Sequence, residues 1–493
     1  MRIIPKIEIK NNNLVKGIGF EGLRVLGSPK TYINFYNKTI ADEFFIIDVV
    51  SSLYGNEHDF KILENFCGLT SVPITVSGGL RSMNDIDKAF RAGADKVSLN
   101  SILYKNPKIV KQITNIYGSQ AVSANLEVIE QNEKFLLFSE FGKEPVNYIL
   151  EDKVKELYDL GIGEINISSV IKDGTLSGAN YKVLEIISKY KKTPIIYGGG
   201  INSFEEIRKI EKNFEIDGLM IGSLFHYNFL KKNLEKQNLL KNKIGNKDFI
   251  SDKENLKKIP KLKNFDFKKL SKKSGASIQK KDKKKINICI LNLKAGNIFS
   301  LKNFLKKFSL KFFVSDNIKE IMTSDLLIIS GDCNSSFCIK QIKKKKLLNT
   351  IKYFYDNKML IGICSGMQIM FDKINEGKIS PGLKLFSGSV SKISDNKEII
   401  KLPNVGWREL IPFEKKDIFK INKKNFYFLH SNRVKNFSKK DCLYLSNYKS
   451  KIIPSIFKKN KTLLFQFHPE KSGVLGQNLL YNSIDFLISK KNV

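Results

Sequence analysis

SGGLRS (77–82) recurs, slightly altered, as GGGINS (198–203), 121 residues further along the chain. DKVSLNS (95–101) matches DGLMIGS (217–223) at an offset of 122, and DEFFIID (42–48) matches GEINISS (163–169) at 121. KIEI (6–9) pairs with NLEV (125–128) at 119. These stretches belong to a series of short β-branched runs: 4–9, 42–50, 72–79, 95–101, 121–129, 163–169, 193–200 and 217–223. Helical patterns such as 82–93 and 203–214 lie between them. Eight β/α units in residues 1–230 predict a (β/α)8 TIM barrel. The nearly constant offset predicts two similar half-barrels related by a pseudo-twofold axis.

The strand ends indicate what such a barrel binds. Gly78, Gly79, Gly199 and Gly200 let backbone N–H groups approach an anion, and Asn100-Ser101 and Gly222-Ser223 open turns that can hold a phosphate. Two matched copies predict a substrate with a phosphate at each end, laid across the barrel mouth. The repeat also opposes Glu8 on the first strand to Glu127 on the fifth, a candidate general acid and base. Strand-end surface acids are the plainer alternative, although both lie in otherwise apolar strands. Lys16, Asp48 and the turn carrying Asp173 and Gly174 add polar groups on the same face. At the opposite end Arg2, Glu43, Lys96 and Glu164 fall near strand beginnings. Two cations and two anions there form either a salt-bridged plug or a gate.

With 84 Lys+Arg against 49 Asp+Glu in 493 residues, the net charge of +35 invites a nucleic-acid partner. Its location weakens that inference. Residues 231–285 hold 20 Lys against 6 acids and no sustained apolar periodicity, as a solvated linker does. Six scattered cysteines without CxxC spacing indicate neither a disulfide framework nor a zinc site. No apolar run is long enough to span a membrane and the start lacks a secretory signal, so the expectation is a cytoplasmic protein without a nucleic-acid or membrane partner.

Residues 286–493 read as a second α/β unit, with strands at 286–291, 325–331 and 360–364. GICSGMQ (362–368) sets Cys364 on a strand-to-helix turn between glycines, where a thiol is exposed and acidified. The chain has only four histidines, and His468 sits two residues before Glu470 in FQFHPEKS (465–472). Thiolate, imidazole base and orienting carboxylate form a triad for acyl transfer. The Ser365 N–H and the loop at Gly331 are the expected oxyanion hole.

GICSGMQ and FHPEKS resemble the class I glutamine amidotransferases, a flavodoxin-like fold. RIIPxIxIKxxxLVKG, GSQAV, KDGTxSG and GSLFHY resemble the cyclase barrel of the imidazole glycerol phosphate synthase family, here placed before the glutaminase rather than after it. The resemblance implies that Cys364 attacks glutamine, that Gly331 and Gln368 contact that co-substrate, and that no cofactor or metal takes part. It implies that Arg2, Glu43, Lys96 and Glu164 gate ammonia through the barrel, that Asp95 and Lys471 bridge the docked domains, and that PNVGW (403–407) signals across the interface. The acceptor implied is the bisphosphorylated ribulosylformimino-carboxamide nucleotide of histidine synthesis. Three departures stand against it: Glu replaces Asp at both mouth acids, Ile171 replaces an aspartate, and Ser330-Gly331-Asp332-Cys333 replaces PGVG. FEGLRVLGSP (20–29) and DVVSSLYG (48–55) look more like a paralogous branch that builds amidino groups on surface-polysaccharide sugars. A non-enzymatic polyanion-binding scaffold is the third reading.

Overall fold

The computed structural model describes residues 1–51, 59–241, 265–270, 286–294, 296–331, 333–376, 379–394, 398–415 and 417–489. Most of the Lys-rich stretch 231–285, and part of DVVSSLYG, lie outside them.

All eight expected barrel strands form: β1 Arg2–Lys10, β2 Phe44–Asp48, β3 Ile74–Ser77, β4 Lys96–Leu99, β5 Val122–Gln131, β6 Glu164–Ser169, β7 Ile195–Gly198 and β8 Gly218–Ile221. Neighbours pair in parallel, and β8 closes on β1 with Gly218 opposite Arg2. The repeat has a structural basis at its last residue. Ser82 caps the helix Met83–Arg91 by accepting from Asp85 N–H, and Ser203 caps Phe204–Asn213 by accepting from Glu206 N–H. In each copy, then, the glycines leave the strand and the serine starts the helix. Gly78 has φ +88°, and a Cβ there would stand 2.1 Å from Asp48 O, so only glycine fits.

The pseudo-symmetry extends further. β1 is followed by the hairpin Asn13–Ile18/Glu21–Gly27, and β5 by Lys134–Ser139/Glu144–Ile149. Their tips bring Phe20 and Phe141 together over the mouth, ring centroids 4.4 Å apart. Stacked aromatics of this kind contribute about 0.5–1.5 kcal/mol beyond their burial.

The second unit has an eight-stranded sheet. Its first five strands, in the order Lys311–Ser315, Asn287–Leu291, Leu326–Ile329, Met359–Ile363 and Thr462–Phe465, are parallel and follow the flavodoxin-like 2-1-3-4-5 arrangement. It docks against the strand-beginning end of the barrel. Asn297 Nδ2 donates to Gly93 O (2.8 Å) and Asp95 Oδ1 (2.7 Å), and Lys471 Nζ lies 2.5 Å from Asp95. Trp407 Nε1 donates to Asp42 O (3.0 Å), and Lys401 pairs with Asp217 (2.8 Å).

One piece of the expected solvated linker behaves differently. Phe267 and Leu270 are buried, and Phe265 and Phe267 pack on Phe35, Tyr36 and Phe225 of the barrel. Two aromatics amid lysines find an apolar groove between the helices Pro29–Thr39 and Ser223–Lys241, and hydrophobic burial outweighs the surrounding charge.

Candidate active sites

Ile363 lies opposite Phe465 on neighbouring strands, so Cys364 and His468 emerge from adjacent strand ends. Cys364 adopts φ +54°, ψ −114°, a strained conformation for a residue with a Cβ. Its N–H donates to Phe465 O at 2.7 Å, which anchors the turn, and its thiol reaches Leu429 O at 3.7 Å. His468 Nδ1 donates to Glu470 Oε1 at 2.8 Å, which fixes the tautomer and turns Nε2 away from the carboxylate. All three residues are at least 97% buried, so the turn does not expose the Cys364 thiol as the sequence led one to expect. His430, unnoticed in the sequence, donates from Nδ1 to Asn432 O (2.7 Å) and accepts from Asn404 Nδ2 (3.0 Å). Burial lowers its pKa to about 4, so it stays a neutral scaffold near His468.

Two expected glutamine contacts are placed differently from the sequence reading. The Gln368 amide is spent inside the fold, accepting from Ser335 Oγ (2.9 Å) and donating to Gln466 Oε1 (3.0 Å) and Asn432 O (3.3 Å). It ties the turn after Cys364 to its neighbours. Gly331 O accepts from both Ser365 N–H (3.3 Å) and Ser365 Oγ (2.8 Å), so the expected oxyanion donor is occupied. A Cβ on Gly331 would stand 2.2 Å from Gly366 N, which explains the glycine. Asp332 lies outside the described residues.

At the barrel floor Arg2, Glu43, Lys96 and Glu164 close into a ring. Arg2 donates to Glu43 (2.8 Å) and to Glu164, and Lys96 reaches Glu43 (2.6 Å) and Glu164 (2.7 Å). None is more than 4% exposed. Four buried charges are tolerable only when each cation meets both anions in this way; the Arg2 Nε–H alone of that guanidinium has no partner among the described residues. The second unit contributes Tyr427, whose hydroxyl is 3.5 Å from Glu43 Oε2. That contact was not legible in the sequence, because Tyr427 reads as an ordinary strand residue.

At the mouth Glu8 is held between Lys16 (2.8 Å) and Lys6 (2.8 Å), and both lysines also reach Asp173, Lys6 at 3.3 Å. Lys6 lies 4.6 Å from the Phe20 ring centroid, and its pKa is held above the ordinary lysine range by Asp173 and Glu8 despite the opposing effect of burial. The sequence reading missed it, although a lysine between Pro5 and Ile7 in an otherwise apolar strand was the available signal. Glu127 differs from Glu8. Burial raises its pKa to about 8, against the opposing hydrogen bond from Gly142 N–H (2.7 Å), so it is protonated at neutral pH. His226 is a neutral strut, lowered to about 3 by burial and bonded to Lys6 O and Tyr36 OH.

The two loops expected to hold phosphates line unequal cavities. Gly78, Gly79, Asn100 and Ser101 line a cavity of about 120 Å³ with Arg81, Lys105, Asp48 and Glu127 at its walls. Asp48 is turned into its own loop, accepting from Val50 and Ser51 N–H. Gly174, Gly199, Gly200, Gly222 and Ser223 line only about 20 Å³, beside Lys16 and Asp173. The Ser223 hydroxyl there is buried with no hydrogen-bond partner among the described residues. Among the described residues no helix is long and apolar enough to cross a membrane, and no His, Cys, Asp or Glu cluster could hold a metal.

Comparison with known proteins agrees with this arrangement. Residues 2–231 match the family described as "Histidine biosynthesis protein", and residues 296–486 match "Glutamine amidotransferase class-I". The barrel half is 34% identical over 245 residues to imidazole glycerol phosphate synthase subunit HisF of Lactococcus lactis subsp. cremoris strain SK11, covering 49% of this chain and 95% of that protein. The same subunit of Chlorobium phaeovibrioides is 33% identical over 226 residues (46% and 90%), and that of Dictyoglomus thermophilum 34% over 227 (46% and 90%). The chain belongs to the imidazole glycerol phosphate synthase HisF family and carries a class-I glutamine amidotransferase domain on the same polypeptide.

Proposed function

We propose that this enzyme hydrolyses glutamine at Cys364 and delivers the ammonia through the barrel to the bisphosphorylated ribulosylformimino-carboxamide nucleotide. The products are imidazole glycerol phosphate and an aminoimidazole carboxamide nucleotide. The observation that carries the reading is the alignment of parts: a buried Cys–His–Glu site docked on the barrel floor, a charged ring across that floor, and two carboxyl groups between anion cradles at the far end.

The Cys364 thiolate attacks the glutamine amide carbon, and His468 protonates the departing nitrogen. Ammonia leaves, and water activated by His468 then cleaves the thioester to glutamate. The developing oxyanion needs the Ser365 N–H, so the Gly331 carbonyl must turn away before turnover. Ammonia passes the floor when the ring opens at Lys96 or Arg2. At the mouth Glu127 enters the reaction protonated and serves as the acid, while Glu8, steadied by Lys6 and Lys16, takes up a proton.

Ammonium salt plus the nucleotide tests this directly: imidazole glycerol phosphate should form without glutamine, and should still form in Cys364→Ala. A second reading keeps the glutaminase and passage but delivers ammonia to another activated sugar, building an amidine. The Lys6 ammonium beside the mouth acids and the disparity of 120 against 20 Å³ between cradles favour it, since they suit an acceptor with one dominant phosphate. Glutaminase activity with no turnover of the nucleotide would select that reading.

A further inference from the structure

Cys333 ends the stretch 330–333 that replaces PGVG, and Cys338 lies five residues further on. Cys333 follows the Gly331 turn, and Cys338 lies early in the helix Ser335–Lys344. The sequence spacing gave no reason to pair them, yet their Sγ atoms stand 2.7 Å apart, with exposures of 2% and 0%. A disulfide needs about 2.05 Å, so closure requires a shift of roughly 0.7 Å. Cys338 Sγ also lies 3.7 Å from Ser365 Oγ, the hydroxyl that holds Gly331 O at 2.8 Å. The sulfur pair therefore abuts the contact that must break for the oxyanion hole to form.

We propose that Cys333 and Cys338 form a redox-modification site: a small-molecule disulfide converts them to an intramolecular disulfide that pins the Gly331 loop and shuts off the glutaminase. Both sulfurs are buried, so local opening comes first; one cysteine thiolate then attacks a sulfur of the external disulfide, forming a mixed disulfide and releasing one small thiolate. The second cysteine loses its proton and attacks the mixed disulfide, expelling the other small thiol. Two protein thiols are oxidised to one S–S bond, two electrons reduce the external disulfide to two thiols, and the protons pass to those products. The consequence for activity rests on the proposed role of Ser365 N–H; formation of the bond does not.

The test uses the full-length protein, reduced and then treated with glutathione disulfide. Peptide mapping should find Cys333 linked to Cys338. Glutamine turnover should fall about 10²-fold, as on losing one oxyanion donor, while ammonium-dependent turnover is unchanged and dithiothreitol restores the rest. Cys338→Ala and Cys338→Ser should keep reduced-state turnover and lose the response. Absence of the linked peptide overturns the proposal. So does inactivation of both variants at the wild-type rate, which would locate the oxidation at Cys364. A reduced wild type without glutaminase activity would sink the catalytic reading instead, and the mapped peptide would still decide the site.

Discussion

Replacing Glu127 with Gln removes a proton-binding group whose carboxyl is 1% exposed and whose pKa rises from 4.5 to about 8. Between those values the folded protein keeps a proton that the unfolded chain has released. Stability tied to this group is therefore fully present below pH 4.5 and is lost as pH rises to 8. The slope is about 1.4 kcal/mol per pH unit, and the whole effect reaches about 5 kcal/mol. Glu127→Gln lacks that slope. It carries a fixed cost as well. Gly142 N–H and Asn125 Nδ2 both donate to the carboxyl, at 2.7 and 3.3 Å, and an amide offers only one oxygen to them. One unmade hydrogen bond costs about 1–3 kcal/mol at every pH. Urea unfolding of both proteins at pH 5, 6, 7 and 8 reads the difference: the variant should be the less stable at pH 5 and gain on the wild type with each unit. Ammonium-dependent turnover of the variant should fall by about 10²-fold or more. Stability curves that run parallel from pH 5 to 8 would refute the protonated Glu127.

Three other substitutions follow from the same geometry. Lys96→Met leaves Glu43 and Glu164 short of a buried cation, which should cost about 3–5 kcal/mol in thermal or urea unfolding, and should release ammonia to solvent faster than it appears in product. Gly331→Ala drives a Cβ to 2.2 Å from Gly366 N; glutamine turnover should collapse while ammonium-dependent turnover persists. Asp95→Asn weakens the 2.5 Å pair with Lys471, and should lower Tm and loosen the coupling of glutamine hydrolysis to product formation. Unchanged coupling in that variant would remove the interface pair from the account.

How much of this was legible beforehand varied with how local the signal was. The barrel was, because the repeat carries its own chemistry: glycines that permit the strand exit and a serine that caps the next helix. The turn at Cys364 and the His468–Glu470 contact were, because a strand-to-helix turn between glycines and an i, i+2 His–Glu pair are encoded within a few residues. Lys6 was not singled out, because one charge in an apolar strand shows its partners, Glu8 and Asp173, only after the barrel closes. Tyr427 meets Glu43 across 384 positions, a separation at which no motif survives. The occupied Ser365 N–H is a matter of which way one carbonyl points, and composition is silent on that. The anchor at Phe267 was obscured by the lysines around it.

The central claim is that nitrogen freed at Cys364 reaches the mouth without entering solvent. Glutamine labelled with ¹⁵N in its side-chain amide, supplied to the full-length enzyme with acceptor and excess unlabelled ammonium, measures this in one step. The account predicts product carrying almost entirely ¹⁵N. Product whose label matches the bulk ammonium pool would contradict it.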